Sequence, residues 1–259
     1  MNQFKKLAIA GAVSAVLLGA TSAEAAVIYN QNALTNNTSS VGPWSDGTNV
    51  KPAGYTGNLP ATWLANIQNN INPNEVDTVS TANAALAGAP AIQSLSNRWN
   101  PANSWGNALD FGLITLHAAG DLLIQVAADS ATSSTFKPGF TLFSGWDTSA
   151  TSSKHGSWNV ALPSVPVNPR GTTGLTYLGQ ASSTVAGDTV SYLFANLAAG
   201  NYSLWIGGAG VGTATTGDQS YVATMTAAPS AVPVPAAVWL FGSAMMGYLG
   251  LQKRKVMAA

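Results

Sequence analysis

The side chains best equipped for chemistry gather between Ser144 and Asn159, where Trp146, Asp147, Lys154, His155, Trp158 and Asn159 share one segment. Indole faces stack on the apolar faces of sugar rings, while a carboxylate and an amide hydrogen-bond the hydroxyls of the rim. Trp146 and Trp158 with Asp147, His155 and Asn159 are therefore candidate ligand residues. Large aromatics bury area more often than they bind ligand, so packing of both indoles over a sheet edge is the competing expectation. The two histidines of the chain, His117 and His155, form a candidate metal pair for copper or calcium. Two imidazoles supply half of a tetrahedral set, and the remainder would have to come from carboxylates or water. His117 shares its alternation with Phe111 and Leu113, which predicts a partly buried structural histidine.

Other chemistries lack their residues. The sequence has no Cys, which removes disulfides, thiolate zinc sites, iron–sulfur clusters and a Cys nucleophile together. Gly207–Gly212 has the look of a phosphate loop, but it runs on into Thr213-Ala214-Thr215-Thr216 rather than opening a helix. Asp121, Asp129, Asp188 and Asp218 sit beside turns as ordinary capping residues, and no 12-residue calcium loop with a closing Glu is present. No nucleophile elbow or pair of catalytic Glu emerges. The expectation is a non-enzyme without a cofactor.

Charge is sparse and unevenly placed. Ten Lys and Arg balance ten Asp and Glu among 259 residues, 8% of the chain in all. Lys5 and Lys6 open the sequence, and Lys253, Arg254 and Lys255 nearly close it. Residues 26–231 keep five bases against nine acids, a net charge of −4. A nucleic-acid partner, which requires a clustered basic excess, is excluded.

The basic start, the apolar run Leu7–Ala20 and the small residues Ala23 and Ala25 form a secretory signal peptide over residues 1–25, with cleavage leaving Ala26 first. At the other end, Val232–Leu251 carries no charge over 20 residues, about 30 Å as a helix and enough to span a bilayer, with the membrane segment at 236–251. The basic cluster behind it holds the C-terminus in the cytoplasm and puts the body across the inner membrane. Val232-Pro233-Val234-Pro235, the span with Trp239-Leu240-Phe241-Gly242-Ser243, and Lys253-Arg254-Lys255 resemble the PEP-CTERM sorting signal of Gram-negative bacteria, with Val234 in place of its Glu. That resemblance implies an exosortase-like membrane protease as partner, membrane attachment before processing, and delivery to the cell surface or the exopolysaccharide matrix of a biofilm.

Between the ends, residues 26–107 read as a loop-rich segment, with an extra strand at Val27–Tyr29. Residues 30–60 offer little to drive a core. Trp63, Ile67 and Ile71 at four-residue spacing predict a short helix near 61–71. Thr78–Leu95 reads as irregular or partly helical. From Ala108 the period becomes two. Phe111–Ala118 and Leu122–Ala127 read as a hairpin about Ala119-Gly120-Asp121, and further strands fit Phe140–Phe143, Leu175–Leu178, Val190–Phe194, Tyr202–Ile206 and Tyr221–Met225. The expected fold is mainly β: an antiparallel, jelly-roll-like sandwich over 108–228, followed by the sorting signal with its single transmembrane helix at 229–259. Leu197–Ile206 and Gly217–Tyr221 resemble the closing strands of bacterial pre-peptidase C-terminal domains, which implies an accessory, non-catalytic module. These features lead to an expected exported, surface-sorted, matrix-associated protein. The alternative is a module that binds polysaccharide or a metal ion through the 144–159 loop.

Overall fold

The computed structural model describes residues 26–33, 40–95, 109–150, 173–209 and 218–229. The expected signal peptide, the expected sorting motif with its transmembrane segment and basic tail, and His155, Trp158 and Asn159 lie outside the described residues. Among the described residues no helix is long and apolar enough to cross a membrane.

Among the described residues eleven strands and one short helix follow one another: β1 Ala26–Tyr29, β2 Ala61–Ile67, β3 Val76–Ser80, α1 Thr81–Leu86, β4 Gln93–Leu95, β5 Asp110–Leu116, β6 Gly120–Ala128, β7 Pro138–Ser144, β8 Thr176–Ser182, β9 Thr189–Leu197, β10 Gly200–Gly208 and β11 Asp218–Ala228. They build two sheets. One has six strands in the order β1-β2-β5-β10-β7-β8; the other runs β3-β11-β6-β9, with β4 added to the start of β11. All of these pairings are antiparallel except β2 with β5, which is parallel. The sandwich is thus mixed rather than purely antiparallel. The chain between β2 and β5 is long enough to make the crossover that a parallel pair needs.

Three expectations from sequence are corrected. Residues 61–71 do not form a helix: Ala61–Ile67 is strand β2, and Ile71 lies in the turn beyond it, 63% exposed. Trp63, Ala65 and Ile67 face one side of the sheet and Leu64 the other. β5 and β6 do not form a hairpin. β5 lies between β2 and β10 in the six-stranded sheet, and β6 between β11 and β9 in the other, so His117–Ala119 carries the chain from one layer to the next. The loop-rich segment 26–107 does more than precede the sandwich, because β1 and β2 complete one sheet and β3 and β4 the other. The expected partial helicity after Thr78 reduces to α1, where the Ser80 Oγ caps the Asn83 N–H at 3.1 Å.

Two apolar cores result. The first fills the space between the sheets, with Ile114, Leu122, Ile124, Val126, Phe140, Leu142, Leu204, Ile206 and Tyr221. The second lies on the opposite face of the six-stranded sheet, where Trp44, Tyr55 and Leu59 from the loop 40–60 cover Leu64, Phe111, Leu113, Phe143 and Trp205. Phe111 and Phe143 meet Trp205 at centroid distances of 4.8 Å and 5.1 Å. Residues 40–60 do drive a core. Burial on both faces gives β5, β7 and β10 nearly continuous buried runs, while β6 and β11 largely alternate because their outer face is uncovered.

One polar chain crosses the inner core. The Trp63 indole N–H donates to the Tyr221 hydroxyl at 3.0 Å, Tyr221 donates to Asp110 Oδ2 at 2.5 Å, and the Thr62 hydroxyl donates to Asp110 Oδ1. Burial pushes the Asp110 carboxyl up to about 6, with these donors and the Phe111 backbone pulling the other way. Gly112 makes the arrangement possible. It is the register partner of Trp63, and a Cβ there would lie 1.9 Å from the indole. Tyr221→Phe should therefore cost about 1 to 3 kcal/mol, because it strands the indole N–H and removes a donor from Asp110. The loss should be larger at pH 8, where Asp110 is ionised, than at pH 5; denaturant melts at the two pH values measure it, and equal losses would count against the linkage.

Candidate functional site

Across the covered face of the six-stranded sheet, register sets Asn66 of β2 beside Thr115 of β5, and Thr115 beside Asn201 of β10. The Thr115 hydroxyl donates to Asn201 Oδ1 at 3.3 Å. These three side chains form a polar ladder where the cover of residues 40–60 ends. Beyond it stands His117, whose Nε2 lies 3.2 Å from Gln68 Nε2. The ladder and His117 line a groove of about 410 Å3, walled by Ile28, Leu64, Trp44 and Trp146 and rimmed by Asp46, Thr48, Val50, Lys51, Pro52 and Ala53.

The two charged rim groups hydrogen-bond within their own loop. The Lys51 ammonium donates to the Gly57 carbonyl, to the Asn58 amide oxygen at 2.8 Å and to the Thr56 carbonyl at 3.4 Å. Asp46 accepts the Thr48 N–H at 2.9 Å. What the groove offers a ligand is an amide, a hydroxyl, a second amide and an imidazole over an apolar wall. That set suits a neutral, hydroxyl-rich molecule.

The structure brings Trp146 and His117, expected for separate reasons, to this one groove. Trp146 is 7% exposed, its indole N–H donates to the Tyr202 carbonyl at 3.0 Å, and its ring meets Tyr55 edge-on at 6.0 Å. It is a wall, with no open face for stacking. Asp147 is corrected from ligand residue to structural anchor: it is wholly buried and accepts from the Ser149 N–H at 3.0 Å, the Ser149 hydroxyl at 2.6 Å and the Thr173 N–H at 3.0 Å. Burial, reinforced by Asp147, pushes the Tyr55 hydroxyl far up. His117 keeps the expected face but is exposed rather than partly buried, because the cover stops before it. Its expected metal partner, His155, lies outside the described residues. Among the described residues no group of three or more His, Cys, Asp or Glu comes together.

Sequence reasoning passed over Trp44, Asn66, Thr115 and Asn201. Only the register between strands distant in sequence aligns the last three. It also passed over a buried acid pair. Glu75 is 2% and Asp77 3% exposed, and neither Glu75 oxygen nor Asp77 Oδ2 has a hydrogen-bond partner. Burial, then the neighbouring Glu75, pushes the Asp77 carboxyl up to about 7. Burial also raises Glu75, offset in part by the Gln68 backbone, which stops short of a hydrogen bond.

No protein family and no curated protein matches the chain. Solved structures of similar outline include CorA, a surface-associated copper-binding protein important in copper acquisition by Methylomicrobium album BG8, at 10% identity and a TM-score of 0.36 over 63% of this chain and 97% of that one. The pre-peptidase C-terminal domain of a Bacillus anthracis collagenase matches at 12% identity and 0.28, over 62% and 91%. The secreted copper-binding protein MopE of Methylococcus capsulatus, in which an oxidized tryptophan facilitates copper binding, matches at 11% and 0.33, over 80% and 95%. At TM-scores this low, these likenesses carry no inference about ligand or activity.

The acid pair generates a pH prediction. Asp77 binds its proton more tightly in the fold, at about 7, than in the unfolded chain, at its ordinary 3.8. Between those values the folded state holds the extra proton, so stability is greatest at the acid end and falls as pH rises through the window. Asp77→Asn should match the parent near pH 4 and exceed it by about 2 to 4 kcal/mol above pH 7. Thermal melts from pH 4 to 8 test this; a variant no more stable than the parent at pH 8 would refute it.

Proposed function

We propose that this chain is an exported, non-catalytic protein of the cell surface and its exopolysaccharide matrix, and that its groove holds neutral segments of that polysaccharide. The observation that carries the reading is the ladder Asn66–Thr115–Asn201, ended by His117, on a rigid sheet floor. Amide and hydroxyl groups in a row at strand spacing, about 4.8 Å, can each hydrogen-bond a hydroxyl of one extended ligand. Lys51 and Asp46, the two charged groups of the rim, are opposite in sign and leave it without net charge. Export rests on the signal peptide over 1–25, and sorting on Val232–Pro235, the apolar span and Lys253–Lys255. An exosortase-like membrane protease is the proposed processing partner.

Asn201→Ala combined with Thr115→Ala should weaken retention on purified exopolysaccharide about tenfold, as expected for two lost hydrogen bonds, while both side chains stand at the surface and the melting temperature stays close to the parent's. Affinity electrophoresis against neutral and anionic polysaccharides measures it. Unchanged retention in the double variant would remove the groove from the reading.

Sorting has its own test. Replacing Lys253, Arg254 and Lys255 with Gln removes the charges that hold the tail in the cytoplasm, so processing near Pro233–Pro235 should fail although the sandwich still folds. Fractionation with intact-mass analysis reads the result, and a triple variant processed like the parent would count against the sorting signal.

A further inference from the structure

Among the described residues five strands border the two sheets, and four of them carry the features that discourage pairing with another chain. β4 has three residues and β1 four; β3 has five and holds the inward-facing Asp77; β8 contains Gly179 and a register break against β7. β9 is different. Its nine residues, Thr189–Leu197, include no charge, no proline and no glycine, and most are exposed. Its ladder to β6 occupies one side, and among the described residues no strand occupies the other. A bend at Asn196, with φ 55° and its N–H bound to Asp121, closes one end and leaves Thr189–Ala195 regular.

The outer face beside this edge is also unusual. Register aligns Val76 of β3, Thr226 of β11, Leu123 of β6 and Leu193 of β9 in one row, with Val76 57% and Leu193 55% exposed. The next row is Thr78, Thr224, Gln125 and Ser191. Neither row contains a charge. At the rim, Tyr192 packs on Phe194 at 4.5 Å and remains 42% exposed.

We infer that β9 is the contact through which two copies of this chain associate, their edges pairing antiparallel about a two-fold axis perpendicular to the sheet. Backbone N–H and C=O groups along an open edge are hydrated in the single chain and form a ready template for another strand. A second copy is the occupant because an isologous contact requires a self-complementary surface, and an uncharged strand of Thr, Val, Ser, Tyr, Leu, Phe and Ala opposes its own image without repulsion. The perpendicular axis keeps the two outer faces on one side, so the row ending at Leu193 continues into the partner. One strand pair is a small interface, below about 1,200 Å2 in total, so the association is weak in dilute solution and strengthens where copies are crowded.

The absence of Cys makes the test clean. Full chains carrying Ser191→Cys or Leu193→Cys, expressed with export intact, should give disulfide-linked dimers on non-reducing gels. Val41→Cys and Leu86→Cys, exposed positions away from β9, should not. Adding Ser191→Lys to Leu193→Cys places like charges across the pair and should lower the dimer about tenfold; Thr189→Lys serves where the first fails to reach the surface folded. Cross-linking at β9 no stronger than at Val41 and Leu86, or undiminished by the lysine, would overturn the proposal.

Discussion

The bond chain Trp63–Tyr221–Asp110–Thr62 is the interaction on which the rest of the sandwich depends. It joins β2 and β5 of one sheet to β11 of the other through groups that burial would otherwise penalise. Each member is costly alone: a buried carboxylate without donors, or an indole N–H without an acceptor, is destabilising by a few kcal/mol. Together they fix where the sheets sit relative to each other, because an apolar core tolerates sliding and a satisfied polar network does not. Gly112 belongs to the same constraint. The indole occupies the volume that a side chain at 112 would fill.

With Trp63 and Asp110 turned inward, the alternate residues Leu64, Phe111 and Leu113 are forced to the other face. A sheet so apolar on both faces needs two covers. The second sheet supplies one, and the loop 40–60 supplies the other through Trp44, Tyr55 and Leu59. The groove follows from the limited length of that loop. Where its aromatic side chains stop, the outward positions of β2, β5 and β10 become Asn66, Thr115 and Asn201, and the wall remains apolar. Site and core are therefore consecutive stretches of the same strand faces.

This geometry also explains what was legible in the sequence. The strands at Pro138–Ser144, Thr189–Leu197, Gly200–Gly208 and Asp218–Ala228 were readable because short runs rich in aromatic and β-branched residues are bounded by turn residues there. β2 was not, because a strand buried on both faces loses its period, and Trp63, Ile67 and Ile71 then imitate a helical stripe. Alternation identifies a strand but not its partner, so the layer change at His117–Ala119 read as a hairpin. The Asp147 anchor was invisible because its donors, at Ser149 and Thr173, include one 26 residues away. Trp146 and His117 were identifiable by residue type; that one is a wall and the other a rim residue depends on how far the loop 40–60 extends.

The placement of the acids bears most directly on what the surface can do. Of the nine acids in residues 26–231, Glu75, Asp77, Asp110 and Asp147 are at most 3% exposed. A body already poor in charge therefore shows still less of it to solvent, and Ser, Thr, Asn and Gln carry the hydration. Such a surface has little electrostatic repulsion to keep copies apart, and little long-range field to attract ions or nucleic acid. The contacts proposed for it are short-range: hydrogen bonds to neutral hydroxyls in the groove and strand pairing along β9. Both gain from crowding and lose little to salt, because neither depends on screened charge.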